Sequence, residues 1–224
     1  MTLPLTIPLT IKVCGLTRVE DACRAAELGA DLLGLNFAAG SPRRVSVETA
    51  LQIAAAVAGS ARLVGVFVDQ ERREVEEIAA AVGLDLLQFH GSEEPAALAP
   101  FGRRAIKVFR LPPGGGEVPL QATALAAYAD AWGFLFDAPG AGAHGGSGRP
   151  WRYGAVAGLP RDRPVLIAGG LGPANVRDAL RESGATGVDV CSGVESAPGI
   201  KDHALLARFL GAARQGAESS GGRE

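Results

Sequence analysis

The sequence predicts an α/β protein closed into a single (β/α)8 barrel, and three observations carry that expectation. Short apolar runs alternate with helical stretches eight times at similar spacing along 224 residues, a pattern that calls for parallel strands joined by helical crossovers. Several runs are almost continuously apolar, as strands covered on both faces are. Polar or reactive residues close many of the runs, where barrels of this kind carry their chemistry. An open doubly wound sheet is the alternative, but the chain has no G-x-G-x-x-G turn with a downstream acid and no shift of composition that would split it. One domain over residues 1–224 is therefore expected.

Residues 1–9, with two prolines and no periodic pattern, read as a loose arm. The first strand, TIKVC at 10–14, puts Lys12 and Cys14 on one face and Ile11 and Val13 on the other. Thr17 with Glu20 reads as a capping box, followed by a helix with Ala22, Cys23, Ala26 and Leu28 on its apolar side and Gly29 at its end. Strand two is DLLGLNF at 31–37, followed by the loop AAGSPRR and a helix over 47–58. RLVGVFV at 62–68 is strand three, and a helix over 71–82 is closed by Gly83.

Strand four, DLLQFH at 85–90, leads to Ser92 as a cap for a helix through Leu98. RAIKVF at 104–109 is strand five, 112–117 a flexible connector and 120–128 an Ala-rich helix. GFLFD at 133–137 is strand six, and the Gly-rich loop 138–149 precedes a helix near 151–157. Strand seven, PVLIA at 164–168, passes through Gly169-Gly170-Leu171 into a helix with Pro173 near its first turn. Strand eight spans 187–191, and a last helix 200–210 leaves a polar tail, 211–224, that reads as disordered.

A formal charge of -2 and a pI near 6.0 exclude the broad basic footprint of a nucleic-acid binder, so any anion site must be local. No apolar run approaches the roughly 20 residues of a membrane span, and residues 1–10 lack a signal-peptide pattern. A cytoplasmic protein with neither nucleic-acid nor membrane partners is expected. The three cysteines, Cys14, Cys23 and Cys191, are too widely spaced for a CxxC site, and the three histidines form no metal-ligand pair. Free thiols and no metal are expected.

Residues closing the strands or opening the loops after them are Cys14, Asn36, Arg43, Asp69, His90, Asp137, Gly169-Gly170 and Ser192-Gly193. The two glycine-bearing turns after strands seven and eight suit a phosphate, because backbone N–H groups before a helix favour an anion without lysine. Arg43, on the proline-stiffened loop Ser41-Pro42-Arg43-Arg44, has the planar fork that grips a carboxylate. Cys14 acts as a base only as a thiolate, which requires positive charge nearby, and Lys12 points the same way. A carboxylate after the apolar run Phe134-Leu135-Phe136, Asp137 is costly there unless used. His90 reads either as a ligand contact or as a structural histidine. Lys12 with Asp189 and Lys107 with Gln88, each on neighbouring strands, are candidate interior pairs. A buried lysine is also a candidate Schiff-base nucleophile, the alternative chemistry for Lys107. A phosphate-ligand binding module without turnover is a third reading.

Seven stretches, between residues 12 and 202, appear in one order: KVCGLT at 12–17, SPR at 41–43, LVGVFV at 63–68, QFHG at 88–91, FDAPGAGAHGGSG at 136–148, AGGL at 168–171 and DVCSGVESAPGIKD at 189–202. Together they resemble the phosphoribosylanthranilate isomerase family, TIM barrels of tryptophan biosynthesis. The resemblance implies a cofactor-free Amadori rearrangement of N-(5-phosphoribosyl)anthranilate, a small-molecule substrate, in a monomer or homodimer. It places the general base on Cys14, the general acid on Asp137 and carboxylate recognition on Arg43. Asn36, Phe89, Cys191 and the segment Pro150-Trp151-Arg152-Tyr153 depart from the family pattern. A related barrel isomerase of the histidine pathway would use the same chemistry, but it closes strand one with an acid where this chain has Cys14.

Overall fold

A computed structural model describes residues 7–111, 122–138 and 151–220. Its elements in order are β1 (Thr10–Val13), α1 (Val19–Glu27), β2 (Leu32–Asn36), α2 (Val47–Ala56), β3 (Arg62–Phe67), α3 (Arg72–Val82), β4 (Leu86–Phe89), α4 (Pro95–Leu98), β5 (Ala105–Arg110), α5 (Ala122–Ala126), β6 (Gly133–Asp137), β7 (Val165–Ile167), α6 (Val176–Ser183), β8 (Gly187–Val190), β9 (Glu195–Ala197), β10 (Ile200–Lys201) and α7 (His203–Ser220). The first eight strands form a closed parallel barrel in sequence order, with β1 hydrogen-bonded to β8. The connector 112–117 and most of the loop 138–149 lie outside the described residues, as does most of the arm 1–9.

The strands read as continuous apolar runs because each is buried twice. Leu32, Val64, Leu86, Ile106, Leu135 and Leu166 pack together inside the ring. Their sequence neighbours Leu33, Leu63, Leu87, Ala105, Phe134, Phe136, Val165 and Ile167 pack outward in the core beneath the helices, as side-chain alternation along a strand demands. The register of β1 on β8 sets Lys12 opposite Asp189, so two charged side chains share the interior with this apolar layer.

Local departures from the expected elements have physical causes. Thr17 does not cap α1, because its hydroxyl donates to Gly199 O at 2.6 Å, and the helix begins after Arg18, which makes no side-chain cap. Ser92 caps no helix either; its N–H and hydroxyl are held by Asp69 Oδ1, and α4 starts behind Glu94. The expected helix at 151–157 is a short 3-10 turn, Tyr153–Val156. Lys107 is not paired with Gln88 but donates to Gly91 O and Glu93 Oε2, both at 3.0 Å.

The tail expected to be disordered is helical through Ser220. Leu206, Phe209, Leu210 and Ala213 fall on one face of α7 and are buried to 1% exposure or less. Arg214 Nη2 then donates to the carbonyls of Leu28 and Gly29 at 2.7 and 2.9 Å, satisfying the open end of α1. A polar composition concealed an apolar stripe of helical period.

Candidate active site

Because alternate residues of each strand point inward, the last inward position of a strand delivers its side chain to the rim where the loops begin. All of Cys14, Arg43, His90, Asp137, Gly169, Gly170, Ser192 and Gly193 line one open cavity of about 660 Å³ at that rim, with Gln88, Asp189 and Cys191 in the same wall. Asp69 is not part of it; that carboxylate braces Ser92 instead.

Cys14 directly follows β1, its N–H donating to Val190 O at 2.8 Å. One layer deeper, Lys12 is fully buried with its Nζ 2.9 Å from Asp189 Oδ1. Burial alone would lower the Lys12 ammonium, but Asp189, and the Cys14 thiolate when formed, raise it above the usual lysine range. Burial pushes the Cys14 thiol up, and Lys12 opposes that only in part. The positive charge that a thiolate requires is therefore present at Lys12, but desolvation outweighs it. Burial likewise pushes the neighbouring Cys191 thiol up, to about 12. Space for Cys14 comes from Gly34 on β2, where a Cβ would lie 2.8 Å from the thiol sulfur.

Asp137 closes β6 and is almost fully buried. Its Oδ1 accepts the Ala138 N–H at 2.8 Å, which fixes the carboxyl plane, while Oδ2 lies 3.2 Å from His90 Nε2. Gln88 Nε2 in turn meets His90 Nδ1 at 3.3 Å. Among the described residues, Gln88 Oε1 and His90 Nε2, like Gln70 Oε1 elsewhere, are buried without a hydrogen bond, His90 Nε2 having Asp137 Oδ2 as a close neighbour but not in hydrogen-bonding geometry. Gln88 and His90 both belong to the cavity wall, and buried polar atoms of this kind are normally satisfied by a ligand or water.

The turn after β7 is built from its own side chains. Asn175 Oδ1 accepts the Gly172 N–H and its Nδ2 donates to Gly170 O, both at 2.8 Å. Trp151 Nε1 and the Tyr153 hydroxyl donate to the carbonyls of Ala168 and Gly169 at 2.7 and 2.8 Å. Gly169 and Gly170 have φ of 79° and 69°, conformations that glycine adopts without strain. A Cβ on Gly193 would meet Leu171 O at 1.9 Å, so the turns after β7 and β8 touch. Together they floor a depression that continues outward over Gly170–Asn175, ahead of α6.

Arg43 is tied down by a partner the sequence did not point to. Its Nε lies 2.9 and 3.1 Å from the two carboxylate oxygens of Glu195, and its Nη2 lies 2.7 Å from Oε2. Lys201 Nζ holds Glu195 Oε1 at 2.9 Å. Both acid and amine sit on the β9–β10 hairpin, an element absent from the sequence expectation although Ala197-Pro198-Gly199 carries the turn signal for it. No group of three His, Cys, Asp or Glu side chains able to hold a metal forms among the described residues.

A family model described as N-(5'phosphoribosyl)anthranilate (PRA) isomerase matches residues 11–212. Among curated relatives, an N-(5'-phosphoribosyl)anthranilate isomerase of Halorhodospira halophila is 44% identical over 209 residues, 93% of this chain and 98% of the relative. One of Cellvibrio japonicus is 44% identical over 207 residues, covering 92% and 94%. The solved phosphoribosyl anthranilate isomerase of Thermotoga maritima superposes with a TM-score of 0.82 at 31% identity, covering 92% of this chain and 99% of that one. A solved isomerase complex with reduced 1-(o-carboxyphenylamino)-1-deoxyribulose 5-phosphate matches with a TM-score of 0.78 at 30% identity over the same shares.

Proposed function

The chain belongs to the phosphoribosylanthranilate isomerase family of tryptophan biosynthesis, and from that premise we propose how its own residues divide the work. The reaction turns N-(5-phosphoribosyl)anthranilate, an aminoaldose, into 1-(2-carboxyphenylamino)-1-deoxyribulose 5-phosphate, an aminoketose. Asp137 donates a proton to the ribose ring oxygen as the C1–O bond breaks, and the anilino nitrogen lone pair forms the C1=N bond of a Schiff base. Removal of the C2 proton by the Cys14 thiolate moves that electron pair into C1=C2 and yields an enolamine. Return of a proton to C1 and loss of one from the C2 hydroxyl give the ketone and leave both catalytic groups as they began. No cofactor takes part in this scheme.

The observation that carries the reading is the sharing of one cavity by Cys14 and Asp137, with Arg43 and the glycine turns in its wall. Arg43 grips the anthranilate carboxylate, and Gly169, Gly170, Ser192 and Gly193 cradle the phosphate. Holding both ends brings the acid and the base to C1 and C2 together. His90 Nε2 and Gln88 Oε1 are the polar atoms that meet the sugar hydroxyls. All these groups come from one chain, so a monomer is competent and each half of a homodimer equally so. The three free thiols suit a reducing cytoplasm, and the ring closed by its first and eighth strands is taken as one domain.

The test is the fall of anthranilate-adduct fluorescence with purified protein. Asp137→Asn and Cys14→Ser should each lower kcat by roughly 10²–10⁴-fold with unchanged thermal melts, whereas Arg43→Ala should chiefly raise KM. Near-normal turnover in either of the first two would remove its assigned role.

A further inference from the structure

We propose that Glu195, braced by Lys201, is the positioning residue that aims Arg43 at the substrate carboxylate. The proposal rests on the reading of Arg43 as the carboxylate grip. A guanidinium offers two fork-shaped edges: the side edge, Nε with Nη2, and the end edge, Nη1 with the second hydrogen of Nη2. Glu195 occupies the side edge completely, with contacts of 2.9, 3.1 and 2.7 Å. Among the described residues nothing takes the end edge, which is left for a ligand, and Arg43 lines the cavity beside Cys14. Its stem crosses the backbone after β1, since a Cβ on Gly15 would lie 2.6 Å from Arg43 Cδ.

A carboxylate beside an arginine ordinarily cancels the charge that attracts an anion. Here Lys201 removes that difficulty. Its buried Nζ holds Glu195 Oε1 at 2.9 Å and also Cys191 O at 3.2 Å. Two cations and one anion leave a single positive charge, displayed by the outermost member, Arg43. Burial alone would push the Glu195 carboxyl up, but Arg43 and Lys201 hold it below the usual carboxylate range, so it stays ionised. The hairpin carrying both residues is fastened at its turn by Thr17 Oγ1 donating to Gly199 O at 2.6 Å, and at its end by Lys201 N–H donating to Asp21 Oδ2 at 3.0 Å. The aim of Arg43 is therefore fixed before substrate arrives, and with it the preference for a planar carboxylate approaching end-on.

Steady-state constants for the anthranilate adduct and for the aniline adduct, which lacks the carboxylate, separate aiming from mere support of the fold. Glu195→Gln should raise KM for the anthranilate adduct about tenfold with kcat within about twofold, and leave KM for the aniline adduct unchanged. Glu195→Asp, which keeps the charge, should recover most of the loss and carries the same comparison if the Gln variant melts early. An equal rise for both adducts, or no rise for either, would overturn the proposal. If Arg43→Ala fails to abolish the wild-type preference for the anthranilate adduct, it is the reading of Arg43 itself that fails.

Discussion

Gly34 gives Cys14 its room: a Cβ there would stand 2.8 Å from the sulfur and 3.1 Å from Lys12 Nζ. Gly34→Ala should fold and yet lose about 10²-fold in kcat, because a displacement near 1 Å at a reacting atom costs that much; steady-state kinetics beside a thermal melt would check it. The electrostatics beneath the thiol give a second expectation. On the proposal that Cys14 is the base, it must act as thiolate while burial raises its pKa, so kcat/KM should climb with pH as it ionises; Lys12 opposes burial, so losing its charge should move that rising limb to higher pH. Lys12→Met alone strands Asp189 in the interior and should cost about 3–5 kcal/mol in urea unfolding. Lys12→Met with Asp189→Leu fills the same space without charge, should cost far less, and should still shift the limb. Since Asp189 itself pushes the thiol up, its loss offsets part of that shift, and it is an unmoved limb in Lys12→Met alone that would show that Lys12 does not act on Cys14.

At the scale of elements, α7 is the clearest case of a segment whose role its composition hides. Deleting residues 211–224 removes the Ala213 contact and the two Arg214 hydrogen bonds to the end of α1. That should cost about 2 kcal/mol, or about 4–8 °C in Tm for a domain of this size, readable by calorimetry. Strands and most helices were legible because their signals, continuous apolar runs in the one and an apolar period of 3.6 in the other, arise within the segment itself. The caps at Thr17 and Ser92 were not, because each hydroxyl had a better partner in a distant loop, Gly199 O in one case and Asp69 in the other. The β9–β10 hairpin was missed for the same reason: Glu195 and Lys201 acquire their meaning from Arg43, which the chain supplies 152 residues before Glu195.

For the molecule as a whole, the ring and the position of its site followed from eight repeats and the residues that end them, and Cys14, Asp137, Arg43, His90 and the glycine turns do share one cavity. What stayed hidden was the wiring behind them: Gln88 against His90, Glu195 against Arg43, and the sign of the shift at Cys14, all of which depend on distance and burial rather than on residue type. The seam between β1 and β8 also has a meaning in time. Lys12 and Asp189 meet across 177 residues of chain, so a ribosome delivers the sulfur and its lysine early and the carboxylate that pairs with that lysine almost last. Until the eighth strand emerges, Lys12 has no Asp189 to face and the ring no strand to close it. The cavity, which draws on the turns after both the seventh and the eighth strands, is therefore completed only near the end of synthesis.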